Sequence, residues 1–270
     1  MNLIRRAMLF SILTVFQAFS QTTPTAPATP AAPVAPTAQT PSPYLRQATV
    51  SEAAGMVHIT ANSPRPLAQV LDALQVKYKW IVSYEDPQFT SEQDVVTVTR
   101  AGDTHMQLPS GGSFSVDFSA AAPDEEKTLR SMVDSYNHSK NPGRFEVKKT
   151  REGSFYLVGT AATDDKGHIS PQQVAFDVPI TIPAEERSIT ETLNLICQEI
   201  SNRTHMPVTV GVSPRSLLDH TNVKLGGNAV AARDLLVQSL AGVRTHPYWR
   251  LLFDPSSKGY YLDIHSPHVQ

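Results

Sequence analysis

Apolar residues follow two spacings along the chain, and the two spacings appear in the same order twice. In "MVHITA", Met56 to Ala61, apolar and polar residues alternate, which is typical of a strand. In "PLAQVLDALQVKY", which follows, Leu67, Leu71 and Leu74 recur every three or four residues and predict an amphipathic helix. The segment "WIVSYE" then predicts another strand.

The first series continues through a long polar region, Phe89 to Ala122, which contains the predicted strands "DVVTVTR" and "GGSFSVDFS". A second helix is predicted in "PDEEKTLRSMVDSYN", where Asp124, Glu125 and Glu126 favour the positive end of the helix dipole. Alternating segments on both sides of Arg151 to Gly153 predict a hairpin.

The second series repeats this order of elements. The segment "FDVPITIPAEE" predicts a strand, and "SITETLNLICQEISNR" predicts a helix that begins with a capping box between Ser188 and Glu191. Strands are predicted in "MPVTVGVS" and "TNVKLGGNAV". The helix "AARDLLVQSLAGV" ends at Gly242, and "YWRLLFDPSSKGYYLDIHS" predicts a terminal hairpin.

The apolar positions of the two series align, which favours an internal duplication over two unrelated α+β units. In the first helix of each series, Leu67, Leu71 and Leu74 align with Ile189, Leu193 and Ile196. The strands that precede these two helices also align without a gap, so that Val57, Ile59 and Ala61 correspond to Pro179, Thr181 and Pro183. The predicted fold class is α+β, with two tandem two-layer domains, each a small sheet with helices on one face in a βαββαββ-like order.

The N-terminus has the pattern of a secretory signal peptide. Arg5 and Arg6 precede an apolar run from Ala7 to Phe19, which at about 13 residues is shorter than the roughly 20 that span a bilayer. Small residues place the cleavage site between Ser20 and Gln21. The alternative is an uncleaved membrane anchor; after cleavage no membrane span is predicted.

The chain therefore divides into five predicted segments. A signal peptide covers residues 1–20, and residues 21–47 form a disordered linker rich in Pro, Ala and Thr, because such a composition cannot bury enough apolar surface to fold. The first α+β domain covers 48–160, a connector covers 161–170, and the second domain covers 171–267.

Charge and cysteine content narrow the function classes. A formal net charge of −2 and a pI near 6.5 give no basic face for nucleic acid and no polybasic membrane signal. Export with a single cysteine, Cys197, excludes an intramolecular disulfide. Because Cys197 lies on the apolar side of its helix, we expect a buried thiol rather than a nucleophile.

The pattern in "VHITANSPRPLAQVLDALQVKYKWIVSYED" resembles the secretin and TonB short N-terminal (STN) domain family, and "NVKLGGNAVAARDLLVQSLAGV" fits the later half of that family's pattern. The chain thus looks like two divergent tandem copies. The first copy lacks the family's leucine-rich second helix, and its middle section is longer than usual. The resemblance implies a periplasmic interaction module that packs edge to edge in rings or contacts another envelope protein, and it implies no catalytic activity.

Motifs for chemistry are weak in this sequence. The nine histidines include no HxxxH or HExxH spacing on a predicted helix, and there is no GxSxG nucleophile motif. We therefore assign no catalytic, cofactor-binding or metal-ligating residue and no cofactor. The last hairpin contains four aromatic residues, Tyr248, Trp249, Tyr260 and Tyr261, which alternation divides between the core and a surface that could meet a partner or glycan.

These observations favour a non-enzymatic periplasmic interaction module that contacts or assembles with a secretin-type or pilus-type envelope component. Exposed sheet edges are the expected means of contact, and oligomerisation is left open. The alternative is an envelope enzyme, or a small-ligand or glycan receptor, whose site these motifs do not mark.

Overall fold

Strands and helices alternate through the three segments of the chain that the computed structural model describes, residues 47–99, 105–150 and 153–267. The predicted signal peptide, its cleavage site at Ser20 and Gln21, and the linker up to residue 46 lie outside these segments. In the first half the elements are β1 (Thr49–Ala53), β2 (Met56–Ala61), α1 (Pro66–Tyr78), β3 (Val82–Glu85), β4 (Val95–Thr99), β5 (His105–Pro109), β6 (Phe114–Ser119), α2 (Glu125–Asn137), β7 (Arg144–Lys149), β8 (Phe155–Thr163) and β9 (Ile169–Pro171).

The second half uses fewer elements in the same order. They are β10 (Pro179–Ser188), α3 (Ile189–Thr204), β11 (Val208–Val210), α4 (Arg215–Leu218), β12 (Asn222–Ala231), α5 (Ala232–Ala241), β13 (Tyr248–Asp254) and β14 (Gly259–His265). Several small sheets with packed helices confirm the predicted α+β class. All described residues belong to one compact unit of the chain.

The two halves share one strand topology. In the first half β2 pairs antiparallel with β6, β3 pairs parallel with β8, and β7 pairs antiparallel with β8. In the second half the corresponding pairs are β10 with β12, β11 with β14, and β13 with β14, in the same orientations. This agreement supports the duplication inferred from the spacing of apolar residues.

The two halves meet in a long sheet with the strand order β11-β14-β13-β3-β8-β7. At the junction β13 runs parallel to β3, with Arg250 opposite Tyr84 and Leu251 opposite Glu85. Along this order each half contributes three strands, and β9 adds a seventh beside β8. The strands of one half run opposite to the corresponding strands of the other.

Because of this reversal, alternate side chains of the junction strands face different cores. Trp249, Leu251 and Phe253 belong to the core of the second half, whereas Leu252 packs against the core of the first. On β3, Tyr84 lies in the first core. The sheet thus carries a separate hydrophobic core on each face, and each core is closed by the helices of its own half.

The helical stripes read from the sequence are buried as predicted. Leu67, Leu71 and Leu74 of α1 and Ile189, Leu193 and Ile196 of α3 are at most 1% exposed. The capping box of α3 is present, since Ser188 and Glu191 each accept a hydrogen bond from the other's backbone N–H. On α2, Asp124 caps the helix by accepting from the N–H of Lys127.

The alignment of the strands before these helices is wrong by one residue. Val57, Ile59 and Ala61 are buried in β2, but in β10 the buried residues are Ile180 and Ile182, and the aligned Pro179, Thr181 and Pro183 are exposed. Register shifts in the pairing of β10 with β12 explain the difference, because a slip of one residue moves every side chain to the other face.

Four elements were not expected from the sequence, and one of them is the short helix α4 between β11 and β12. β1 lies before the first predicted strand, and β5 pairs with β4 within the region read as polar. The predicted connector, residues 161–170, is partly strand, because β8 continues to Thr163 and pairs there with β9.

Candidate protein-interaction surface

The strand β1 stands out because all five of its residues are exposed. It is held to β2 through a two-residue turn in which Ala54 and Gly55 both have positive φ, at 51° and 74°. Two successive positive φ angles are the geometry of a type I′ turn, whose twist matches that of a hairpin. The exposed strand is therefore fixed in position by its turn although it contributes little to the core.

Alternation along the ladder shows which backbone groups of β1 face outward. The N–H of Ala120 donates to the carbonyl of Gly55 at 2.8 Å, so the backbone of Gly55 points toward β6. Because this direction alternates along a strand, every second residue of β2, counted from Gly55, also directs its backbone toward β6. The remaining residues of β2 direct theirs toward Thr49, Ser51 and Ala53 of β1. The N–H and C=O groups of Val50 and Glu52 consequently point away from the sheet.

Within the described segments, no hydrogen bond from another element reaches this outward edge of β1. A bare edge of this kind is a template for an additional strand. Val50 is 41% exposed, and Glu52 holds an ion pair with Lys77 of α1 at 2.7 Å.

In contrast to β1, the two edge strands of the long sheet, β7 and β11, are protected. On β7, the Asn137 side chain accepts from the N–H of Phe145 and donates to its carbonyl, at 2.9 and 2.8 Å. On β11, the hydroxyl of Ser201 accepts from the N–H of Val208 at 2.8 Å. Helix side chains thus occupy backbone groups that a further strand would need.

β10 is protected differently. It contains Pro179 and Pro183, each of which lacks the N–H that a neighbouring strand would use. The second half therefore has no counterpart of β1, and it offers a poorer template where such a strand would lie.

The outer face of the sheet β1-β2-β6 is polar and lies beside this edge. Its side chains are Thr49, Ser51, Ala53, Met56, His58, Thr60, Ser115, Asp117 and Ser119. Hydrogen bonds link His58 Nδ1 to Asp117 Oδ1 at 2.5 Å, His58 Nε2 to Thr60 Oγ1 at 2.9 Å, and Thr60 Oγ1 to Ser115 Oγ at 2.9 Å.

This chain of contacts has the connectivity of an acid–histidine–hydroxyl triad, but its surroundings differ from those of a catalytic site. The side chains of His58 and Asp117 are 48% and 61% exposed, and they stand on a sheet face rather than in a recess. Catalytic triads act beside donors that stabilise an oxyanion in a site shielded from water. We interpret the contacts as a cross-strand polar ladder.

Buried charge is concentrated where the two halves meet. Glu85 on β3 accepts from the Arg233 guanidinium of α5 and from the indole N–H of Trp249, the latter at 3.1 Å. Arg233 also donates to Asp177 at 2.8 Å and lies over the ring of Tyr156. These groups bind each other, so we interpret the cluster as an element that fixes the orientation of the halves.

The residues singled out in the sequence occupy ordinary structural positions. Cys197 is buried, and burial raises the pKa of its thiol to about 12, which makes a nucleophilic thiolate unfavourable. Of the aromatic residues of the last hairpin, Tyr248, Trp249 and Tyr260 are buried, and Tyr261 alone is 43% exposed. The sequence favours core packing with scattered exposure over an aromatic surface for these four residues, and this is the arrangement found, because both faces of β13 are covered.

Surface grooves, clusters of metal-ligating side chains and apolar helices bear on where a further site could lie in the described residues. Two surface grooves are shallow and open, one along α2 and one at the start of α3. Across the described segments no three His, Cys, Asp or Glu side chains converge as metal ligands. None of the helices found there is long and apolar enough to cross a membrane.

The bare edge of β1 was missed in the sequence because "TVSEA" lacks an apolar alternation. The nearest signal was Ala54-Gly55, which ends in the glycine that a two-residue hairpin turn prefers.

Comparison of the chain with models of protein families, with curated proteins and with solved structures finds no match in any of the three. Membership of the STN family stays a prediction.

Proposed function

We propose that this chain is a non-enzymatic interaction module of the bacterial periplasm, with two STN-like halves, that assembles with a secretin-type or pilus-type envelope component. The contact surface is the sheet β1-β2-β6, through its outer face and the outward edge of β1. The observation that carries the proposal is the uncovered backbone of Val50 and Glu52.

The pattern of edge protection supports this assignment. Soluble proteins usually cover or interrupt exposed strand edges, because bare edges pair with other chains. Here β7 and β11 are capped by helix side chains and β10 contains two prolines, yet β1 is left open. The outer edge of β6, the other edge of this sheet, also receives no hydrogen bond from another element within the described segments, so the open edges of the sheet β1-β2-β6 stand against protected ones on β7, β10 and β11.

The polar outer face supports a reversible contact rather than a permanent one. Obligate interfaces have apolar cores, whereas transient ones resemble the rest of the surface in polarity. The outer face contains mainly hydroxyl, imidazole and carboxylate groups, with Met56, at 43% exposed, as its one large apolar side chain.

A site-specific photocrosslinker at Met56 tests the proposal in cells that export the chain. We expect a discrete adduct with one envelope protein. A matched variant carries the same crosslinker at Val76, which is 55% exposed on the solvent side of α1 and away from the outer face. The Val76 variant should give no such adduct.

Equal adducts from both positions, or none from Met56, would contradict the proposal. The alternative, an enzyme acting through the polar ladder, predicts a different result. Turnover of simple ester substrates by the isolated chain, lost in His58→Gln and retained in Val76→Ala, would favour that alternative.

A further inference from the structure

We propose that the strand that pairs with β1 is β1 of a second copy of this chain, antiparallel, with the two-fold axis passing beside Ser51. This inference rests on the proposed function: it assigns the outward edge of β1 to a second copy and leaves the outer face of the sheet to the envelope component. Three features favour this pairing: the direction of the outward backbone groups, the side chains that would face each other, and the shape of the joined sheet.

The alternating direction of its backbone groups makes the outward edge of β1 complementary to the same edge of a second copy. The outward N–H and C=O groups belong to Val50 and Glu52, which lie symmetrically on either side of Ser51. In an antiparallel pair about Ser51, Val50 of one copy stands opposite Glu52 of the other, and each such pair exchanges two hydrogen bonds. Four backbone hydrogen bonds form, and no outward group within this span lacks a partner.

Side chains in this register do not oppose like charges. Residues directly opposite each other project from the same face, so Val50 of one copy lies beside Glu52 of the other on the core face of the sheet. Glu52 is already paired with Lys77 at 2.7 Å, and its negative charge is therefore balanced within its own chain. The methylene groups of Glu52 would cover Val50, which is 41% exposed.

The two-fold axis is perpendicular to the sheet, so both copies place their helices on the same side. The joined sheet has the order β6-β2-β1-β1-β2-β6, and the polar outer faces of the two copies become one continuous surface. Closed two-fold symmetry is the commonest arrangement of homo-oligomers and leaves no edge of β1 free for further growth. Pairing through β1 therefore ends at two copies.

The contact is expected to be weak. An edge of five residues buries less than the roughly 1,200 Å² that stable complexes usually bury. Trapping with disulfides is consequently a better test than the elution volume of the wild-type chain.

Register-specific cysteines test the pairing. In the proposed pair Ser51 faces itself and Thr49 faces Ala53, both as non-hydrogen-bonded pairs with Cα atoms about 4.5 Å apart, a separation that a disulfide spans. Two copies of Thr49 would be separated by roughly 14 Å, which a disulfide does not span. The native Cys197 does not interfere, since it is buried.

We expect Ser51→Cys to form a disulfide-linked dimer under mild oxidation. Thr49→Cys and Ala53→Cys should each stay monomeric alone, and an equimolar mixture of the two should give about tenfold more linked dimer than either one. Adding Val50→Pro removes an outward N–H but leaves the hydrogen bonds between β1 and β2 intact, so it should reduce the yield of disulfide-linked dimer. Adding Val50→Thr should not reduce that yield.

Absence of linkage in Ser51→Cys, or linkage of Thr49→Cys alone equal to that of the mixture, would overturn the inference. If the crosslinker at Met56 captures an envelope protein but the cysteine variants do not show the expected disulfide pattern, the proposed function stands and the second copy is rejected as the occupant of the β1 edge. The disulfide pattern without an envelope adduct supports the dimer and counts against the proposed function.

Discussion

The side chain of Asn137 binds both backbone groups of Phe145, accepting from the N–H at 2.9 Å and donating to the C=O at 2.8 Å. This single residue at the end of α2 thus occupies the outer edge of β7. Arg130 of the same helix donates to the carbonyl of Val147 further along that edge. The long sheet therefore ends at β7 because helix side chains replace the next strand.

Replacing Asn137 with Ala should lower the free energy of unfolding by about 1–3 kcal/mol, since two backbone groups lose their partner. It should also raise the rate of aggregation, because the edge becomes a template for pairing. Urea denaturation and light scattering measure the two effects. Asn202→Ala is the matched control, because Asn202 is an exposed helical residue whose side chain donates a hydrogen bond to Glu199 of its own helix and not to a strand edge. Equal aggregation of the two variants would contradict the capping role.

The buried ion pair between Arg233 and Glu85 should behave differently from exposed pairs. Their side chains are 4% and 1% exposed, so Arg233→Met leaves a buried carboxylate without its cation. We expect a loss of about 3–5 kcal/mol in the free energy of unfolding, measured by urea denaturation. The double variant with Glu85→Gln removes the uncompensated charge and should recover much of this loss.

Lys149→Met provides the comparison for that pair. Lys149 and Glu126 form an exposed ion pair at 3.0 Å, and such pairs contribute at most about 1 kcal/mol. A loss of similar size in Lys149→Met and Arg233→Met would argue against burial as the cause.

Asp86 gives a stability that depends on pH. Burial raises the pKa of this carboxyl group, and hydrogen bonds from Arg65, Tyr84 and the N–H of Phe253 offset only part of that effect. The folded state therefore binds a proton more readily than the unfolded state does. The contribution of Asp86 to the free energy of unfolding is fully present below the unfolded-state pKa of about 3.9, and it is lost as the pH rises through the raised folded-state pKa.

The difference in unfolding free energy between the wild type and Asp86→Asn isolates this titration. We expect that difference to shrink as the pH is raised from about 4, because only the wild type must ionise a buried carboxyl group. Denaturant titrations at several pH values measure it. A difference that grows with pH would show that the partners of Asp86 outweigh its burial.

Cys197 should resist thiol reagents in the folded chain. Its burial raises the thiol pKa to about 12, so the reactive thiolate is scarce at pH 8, and the sulfur lies in the second core. We expect negligible labelling by a disulfide reagent in buffer and one thiol per chain in denaturant. The Ser51→Cys variant, with one exposed thiol, should label rapidly in buffer. Rapid labelling of the wild type would contradict the described core.

The sequence allowed the four longer helices, α1, α2, α3 and α5, to be predicted well because each is specified locally, whereas the four-residue α4 was not predicted. Leu67, Leu71 and Leu74 mark the buried stripe of α1, and Ser188 with Glu191 marks the start of α3. Such signals need only residues that are a few positions apart.

The junction of the halves could not be predicted in this way. Pairing of β13 with β3 joins residues that lie more than a hundred positions apart, and no local pattern records it. The misplaced register of β10 has a related cause: its bulges depend on how β12 pairs with it, so the gapless alignment with β2 gave the wrong face for Pro179 and Thr181. The edge of β1 escaped notice because its exposed side chains show no buried alternation.

The position of β14 affects how the chain can fold while it is being made. This strand follows every other strand in chain order, yet it lies between β11 and β13 rather than at a margin. The second core is therefore incomplete until residues 259–265 have emerged, and β3 has no firmly held neighbour on that side until then. If the chain is exported as we propose, this delay favours completing the fold after translocation rather than during it.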